Sequence, residues 1–232
     1  MSEHFKRIYE SQAVRYDLLV SREDYLGNLL PAIERLATLP GSTVVELGAG
    51  SGRLTRLLAP HVKHIHAYDA SPHMLEIARA KLDALGIANV DLTTADNKCL
   101  SAPDGEADIA IAGWSFGHCC DWFPDTWKDE VAAALNELAR VLRPNGTAII
   151  LETLGTGSDF PSPPTELLAS YYTWLEEEKG FSSKPIRTDY RFASAQEARE
   201  LFGFFFGKDF LAHIDISTAV IPECTGIWWR QY

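Results

Sequence analysis

The apolar positions of the chain switch between two periods. Short β-branched runs recur at Thr43 to Leu47, Ile65 to Asp69, Val90 to Thr94, Ala107 to Ala112 and Thr147 to Glu152, each bounded by Gly, Pro, Asp or Ser. Apolar residues between these runs repeat at helical spacing, and the alternation predicts a parallel sheet wrapped by crossover helices, an α/β fold. The helix after the second run is the best defined. Ser71 is placed to cap it, Pro72 suits its first turn, Met74, Leu75, Ala78, Leu82 and Leu85 form its stripe, and Gly86 stops it. A second stripe, Val131, Ala134, Leu135, Leu138, Val141 and Leu142, runs into Pro144-Asn145-Gly146, which reads as a turn launching the strand at Thr147.

The flanks are less regular. Residues 1 to 40 read as helices rich in Tyr and Leu that form an N-terminal cap, and 41 to 153 as the core. Residues 154 to 192, with Pro161-Ser162-Pro163-Pro164 and a helix near 165 to 179, read as an inserted cap. Residues 193 to 232 predict a helix around 194 to 206, then an antiparallel hairpin built from Ala212 to Ser217 and Gly226-Ile227-Trp228-Trp229. All 232 residues fit one domain, and no internal repeat is visible.

A formal charge of −11 with no basic patch argues against nucleic acid as a partner. Cys99, Cys119, Cys120 and Cys224 have neither a disulfide framework nor metal-ligand spacing and read as reduced thiols. The N-terminal residues lack the apolar core of a signal peptide and no run reaches membrane-spanning length, so a cytoplasmic, membrane-free protein is expected, as monomer or homodimer.

The chemistry concentrates where the first strand meets Glu46-Leu47-Gly48-Ala49-Gly50-Ser51-Gly52-Arg53. Alternate glycines leave the backbone bare, so that it can lie against a ligand at the carboxyl end of a sheet. A dinucleotide fingerprint would want glycine where Arg53 stands, which favours a ligand without a pyrophosphate.

This segment resembles the first motif of the class I S-adenosylmethionine (SAM)-dependent methyltransferases, and the resemblance runs over roughly residues 40 to 153. It implies a Rossmann-like three-layer sandwich whose seven-stranded, mostly parallel sheet has the order 3-2-1-4-5-7-6, with the last strand antiparallel. It also implies SAM as cofactor and S-adenosylhomocysteine as its product. By the same resemblance Asp69 takes the ribose hydroxyls, with Ala70 and Met74 beside it. Asp96 accepts from the adenine amino group with the Asn97 backbone at the ring, and the segment of Trp114 and Ser115 lines the methionine moiety. Gly48, Ala49, Gly50 and Gly52 form the bend, Glu46 stands near the amino-acid end, and Tyr16 is the N-terminal residue expected to touch the cofactor, ahead of Tyr9 and Tyr25.

Plainer readings stand beside these. Asp69 is also placed to cap a helix, Asp96-Asn97 to make a turn, and Trp114 to fill the core. His118 is either a general base or a structural histidine. His61, His64 and His66 lie close in sequence, with only the last two on one strand face, and no metal site is expected there or at His118-Cys119-Cys120. The phenylalanines Phe202, Phe204, Phe205 and Phe206 read as packing.

The expected function is methyl transfer to a small-molecule acceptor enclosed by the two caps, with Phe160, Tyr171, Tyr172, Trp174 and Phe181 walling it. The rival readings are a SAM-binding regulatory module without catalysis, a dinucleotide-dependent oxidoreductase, and methylation of protein or RNA. The last is weakened by Gly113-Trp114-Ser115-Phe116 standing where amino-methylating nucleic-acid enzymes carry NPPY-like signatures.

Overall fold

Strand β1 (Thr43–Leu47) is buried almost throughout because parallel neighbours flank it, β2 (His64–Asp69) on one side and β4 (Ala107–Gly113) on the other. In this computed structural model, which describes residues 7, 8 and 11–232, β3 (Val90–Thr94) extends the sheet from β2 and β5 (Leu142–Thr156) from β4. The far side is completed by β6 (Ser182–Arg187) and by the last strand, β9 (Glu223–Gln231), which runs antiparallel between β5 and β6. The order β3-β2-β1-β4-β5-β9-β6 is the expected 3-2-1-4-5-7-6 when only strands of this sheet are counted. A separate ribbon pairs β7 (Tyr190–Arg191) with β8 (Val220–Ile221).

Period two explains why so few polar residues interrupt these strands. Val44, Ile65, Ala67, Ile109, Ile111, Ile149 and Leu151 face one way, onto α2 (Leu29–Glu34), α3 (Arg53–Leu58) and α4 (Pro72–Ala84). Val45, Leu47, Tyr68, Ala110, Ala112, Ala148 and Ile150 face the other, onto α6 (Trp127–Val141) and α7 (Glu166–Glu177). A parallel strand covered on both faces needs apolar residues at successive positions, and the inner strands β1 and β4 are buried at most of theirs, while the edge strand β3 is part exposed. A third cluster, centred on Phe202 of α8 (Ala195–Phe205), joins the ribbon and α9 (Lys208–Leu211) to Leu19 of the first described helix, α1 (Ala13–Val20).

The predicted start of α4 is present as drawn. Met74 N–H donates to Ser71 Oγ at 3.3 Å, Pro72 occupies the first turn, and Gly86 follows with φ of +65°.

Three expectations are corrected. The aromatic residues of 154 to 192 do not wall the cavity at the strand tips: Tyr171, Tyr172 and Trp174 of α7 and Phe181 are buried in the core, Phe160 is 77% exposed, and Ser182–Arg187 is an edge strand. The terminal hairpin does not form from Ala212 to Ser217. Asp215 Oδ1 accepts the Ser217 N–H at 2.9 Å, a local turn that competes with strand pairing, and β6 takes the place beside β9 instead. Pro144-Asn145-Gly146 is a bulge within β5, where Asn145 adopts φ of +67° and its N–H reaches Tyr232 O at 2.6 Å. No helix among the described residues is long and apolar enough to cross a membrane.

Candidate cofactor site

At the carboxyl ends of β1, β2, β3 and β4 lies a cavity of about 580 Å³. Its floor is the glycine bend. Gly48 and Ala49 N–H groups both donate to Tyr68 O, at 2.8 and 2.9 Å, which ties the bend to β2. Gly48 has φ of +74°, and a Cβ there would collide with the Ser115 side chain, so the tips of β1 and β4 touch only because that side chain is missing.

Of the expected residues, Tyr16, Glu46, Gly48, Ala49, Gly50, Asp69, Ala70, Met74, Asp96, Asn97, Trp114, Ser115 and His118 all line this cavity. Gly52 does not. Its φ is +79°, it caps α3, and a Cβ would come within 3.1 Å of Ala78 Cβ, so it lets α3 and α4 pack closely. Tyr25 lies away from the cavity under the Arg191 guanidinium, 4.0 Å from its ring, and Tyr9 falls outside the described residues.

Asp69 ends β2 with both oxygens engaged: Oδ2 accepts the Gly50 N–H at 2.7 Å and Oδ1 the Ser71 N–H at 2.8 Å. A carboxylate has about four acceptor positions, so two remain for a vicinal diol. Burial pushes the Asp69 carboxyl up, and the two backbone N–H groups oppose that. Asp96 is exposed, its Oδ1 accepts the Lys98 N–H at 2.9 Å in a local turn, and the residue also lines the cavity. Asn97 Nδ2 donates to Ser115 Oγ at 2.9 Å, bracing the loop after β3 against the loop after β4.

Glu46 is buried, and its Oε2 accepts from Thr55 Oγ1 at 2.7 Å. Burial raises its carboxyl to about 8, which favours the neutral acid there at pH 7. His118 begins the short helix α5 (His118–Trp122), stacks on Trp122 with ring centroids 5.0 Å apart, and is lowered to about 4 by burial. It is therefore neutral at physiological pH and far from the pKa that suits a general base. Burial also pushes the Cys119 and Cys120 thiols up, to about 11 and 12, which removes them as thiolate nucleophiles.

Several functional contacts escaped the sequence. Ser51 Oγ donates to Asp17 Oδ1 at 2.6 Å, and Lys81 of α4 pairs with the same carboxylate, so α1 is fastened to the glycine bend. Arg53 pairs with Glu23 at 2.7 Å and lies over the Trp114 ring, 4.0 Å from its centroid. Trp114 holds φ of +50°, an unusual conformation for a bulky residue, with its N–H on Leu151 O at 2.6 Å. Trp122, Phe123 and Lys98 complete the wall. None of these contacts has a local signal, because each joins segments far apart in the chain.

The donor set fits an adenosyl ligand better than a dinucleotide. The cradle has spare carboxylate acceptors at the second strand tip and bare backbone at the bend, while Arg53 occupies the place where a pyrophosphate-binding helix would need glycine.

The methyltransferase-domain family matches residues 44–146 of the chain. A ubiquinone/menaquinone biosynthesis C-methyltransferase of Ectopseudomonas mendocina is 29% identical over 195 residues, which is 80% of this chain and 67% of that protein. A demethylmenaquinone methyltransferase of Thermus thermophilus is 31% identical over 163 residues, 68% of this chain and 66% of its own length. The chain thus spans about two thirds of these relatives, and less of other curated proteins it resembles. A SAM-dependent methyltransferase of Aquifex aeolicus with a solved structure superposes with a TM-score of 0.57 at 16% identity, covering 99% of this chain and 97% of that one, a likeness of fold. The family match spans the glycine bend and the strands that follow it, which makes residues 44–146 a methyltransferase domain of the class I SAM-dependent type.

Proposed function

We propose that this chain binds SAM in the cavity at the tips of β1 to β4 and transfers its methyl group to a small organic acceptor. The observation that carries the reading is the continuity of the cavity. One space of about 580 Å³ joins the glycine bend and Asp69 to a wall of Trp114, Trp122, Phe123 and Tyr16. That volume sits within the range of about 300–1,000 Å³ typical of small-molecule sites.

When bound, SAM supplies an electrophilic methyl group on a sulfonium. Asp69 offers its remaining acceptor positions to the ribose hydroxyls, Asp96 and Asn97 border the base, and Glu46 lies at the amino-acid end. Gly48 and Gly50 keep the bend free of side chains, and Ser115, braced by Asn97, faces the bend from β4. The aromatic wall excludes water and orients the acceptor. Orientation of this kind supplies roughly 7–11 kcal/mol of a barrier without acid–base chemistry. A neutral His118 suits the same role, as a hydrogen-bonding wall group that positions the acceptor.

A flat ring-bearing acceptor agrees with these aromatic surfaces, and the Ectopseudomonas ubiquinone/menaquinone and Thermus demethylmenaquinone methyltransferases make quinones the first class to test. Calorimetry with S-adenosylhomocysteine, followed by acceptor screening with methyl-labelled SAM, tests the reading. Micromolar binding and label transfer to a small acceptor are expected. Absence of binding at high micromolar ligand overturns the proposal, and tight binding with no transfer to any acceptor supports the non-catalytic module instead.

A further inference from the structure

The other end of β2 carries a second group of chemistry-bearing side chains. His64 and His66, two residues apart, project from the same face of the strand, and Asp91 stands beside His66 in the parallel register of β3. Asp91 Oδ2 lies 2.9 Å from His64 Nε2 and 3.5 Å from His66 Nδ1, and one donor atom from each residue falls within 4.8 Å of the others. Donors about 2.0–2.2 Å from a tetrahedral cation sit roughly 3.3–3.6 Å from one another, so this spacing needs little adjustment. We propose that His64, His66 and Asp91 form a surface site for a first-row divalent cation, Zn²⁺ foremost, with Glu106 positioning His66 from its other ring nitrogen.

Two further observations support the site. Glu106 Oε1 is 4.0 Å from His66 Nε2, so a carboxylate stands on the side of the ring facing away from Asp91, and a small side-chain movement would bring it into the hydrogen bond that orients a metal-binding imidazole. The chain between β3 and β4, residues 95 to 106, also forms no helix, so no crossover element covers this corner of the sheet. Both imidazoles are partly exposed and Asp91 is exposed, which leaves open positions for water or another ligand. Two imidazoles with one carboxylate match the ligand preferences of Zn²⁺ and its neighbours, not those of Ca²⁺ or Mg²⁺.

The site is separate from methyl transfer. His64 opens β2 and Asp69 closes it, a separation of roughly 16 Å at the rise of a strand. Its effect is mechanical: β3 is an edge strand whose one sheet neighbour among the described residues is β2, and a cation shared between them pins that edge. This departs from the expectation that no metal would bind. His61, on the turn Ala59–His61, stays outside the group, and the third donor comes from strand pairing.

The test is calorimetric titration of the chelator-treated full chain with ZnCl₂ alone, beside thermal melting. One saturable equivalent is expected, and a hundredfold excess over Kd raises Tm by about 5–10 °C. His64→Ala, His66→Ala and Asp91→Asn each weaken binding about tenfold or more, Glu106→Gln weakens it by about tenfold, and His61→Ala leaves it unchanged. Should an alanine variant fail to fold, the exposed Asp91→Asn carries the same comparison. No saturable binding at high micromolar Zn²⁺, or binding indifferent to His64, His66 and Asp91, overturns the proposal.

Discussion

Asp69 and Gly50 are joined by a 2.7 Å hydrogen bond from the glycine N–H to the carboxylate, so the residue proposed to take the ribose hydroxyls also holds the shape of the bend. Its removal acts twice. A hydrogen bond to a charged group contributes about 1.5–3 kcal/mol, and each 1.4 kcal/mol is tenfold in affinity. Asp69→Ala is expected to weaken S-adenosylhomocysteine binding by about a hundredfold or more, and Asp69→Asn, which keeps one acceptor oxygen, by less. Calorimetry on both variants checks the ranking. Equal affinity in wild type and Asp69→Ala would remove the ribose assignment.

The buried acids give the ligand-free protein a distinctive pH response. Burial raises Glu46 and Glu152 to about 8 from 4.5, so the folded chain keeps protons that the unfolded chain releases. Their contribution is complete below pH 4.5 and is lost as pH rises toward 8. His118 has the opposite sign: lowered from 6.5 to about 4, it withdraws stability as pH falls from 6.5 toward 4. Above pH 6.5 the histidine is neutral in both states and only the acids act. Tm is therefore expected to fall between pH 6.5 and 8. Glu46→Gln, which replaces a neutral acid by a neutral amide able to accept from Thr55, should flatten that slope. Melting curves across this interval, with an unchanged slope in the variant, would refute the protonated state of Glu46.

Arg53 and Glu23 form an ion pair whose side chains are 17% and 3% exposed. Breaking a buried pair from one side leaves an uncompensated charge and costs about 3–5 kcal/mol, whereas replacing both partners costs far less. Arg53→Met should lower the urea midpoint strongly, and adding Glu23→Gln should restore part of the loss. Additive effects in the double variant would show that the pair is not coupled.

These contacts also mark what the sequence could and could not reveal. The beginning of α4 was legible because Ser71, Pro72 and Gly86 act on their own backbone. The inner strands β1 and β4 were legible because both faces are buried, and the edge strand β3, exposed at Asp91 and Thr94, because its β-branched residues still stand between breakers. Asp69 was legible because its place at a strand tip follows from those runs. The helix α7 was misread as part of a lid, since an apolar stripe such as Tyr171, Tyr172 and Leu175 states that a face is covered but not by what. The strand Ser182–Arg187 was hidden for a different reason. At an exposed edge, Lys184 and Pro185 discourage further pairing and erase the alternation that would announce it. Asp17 on Ser51, Glu23 on Arg53 and Asp91 beside His66 all depend on tertiary pairing.

The glycines of the bend separate binding from packing. Gly48 and Gly52 both hold positive φ, so alanine strains each by roughly 1–2 kcal/mol. At Gly52 the new methyl meets Ala78 Cβ at 3.1 Å, between two helices and outside the cavity. Gly52→Ala should therefore lower stability while leaving S-adenosylhomocysteine affinity nearly unchanged in the protein that remains folded. At Gly48 the methyl meets Ser115 at the rim of the cavity, so one tip must move, and Gly48→Ala should lose affinity as well as stability. Adding Ser115→Gly removes the collision but not the backbone strain, so it should recover affinity more than stability. If Gly52→Ala weakened binding as much as Gly48→Ala, the bend would be acting as one rigid unit, and the division between a packing glycine and a binding glycine would fail.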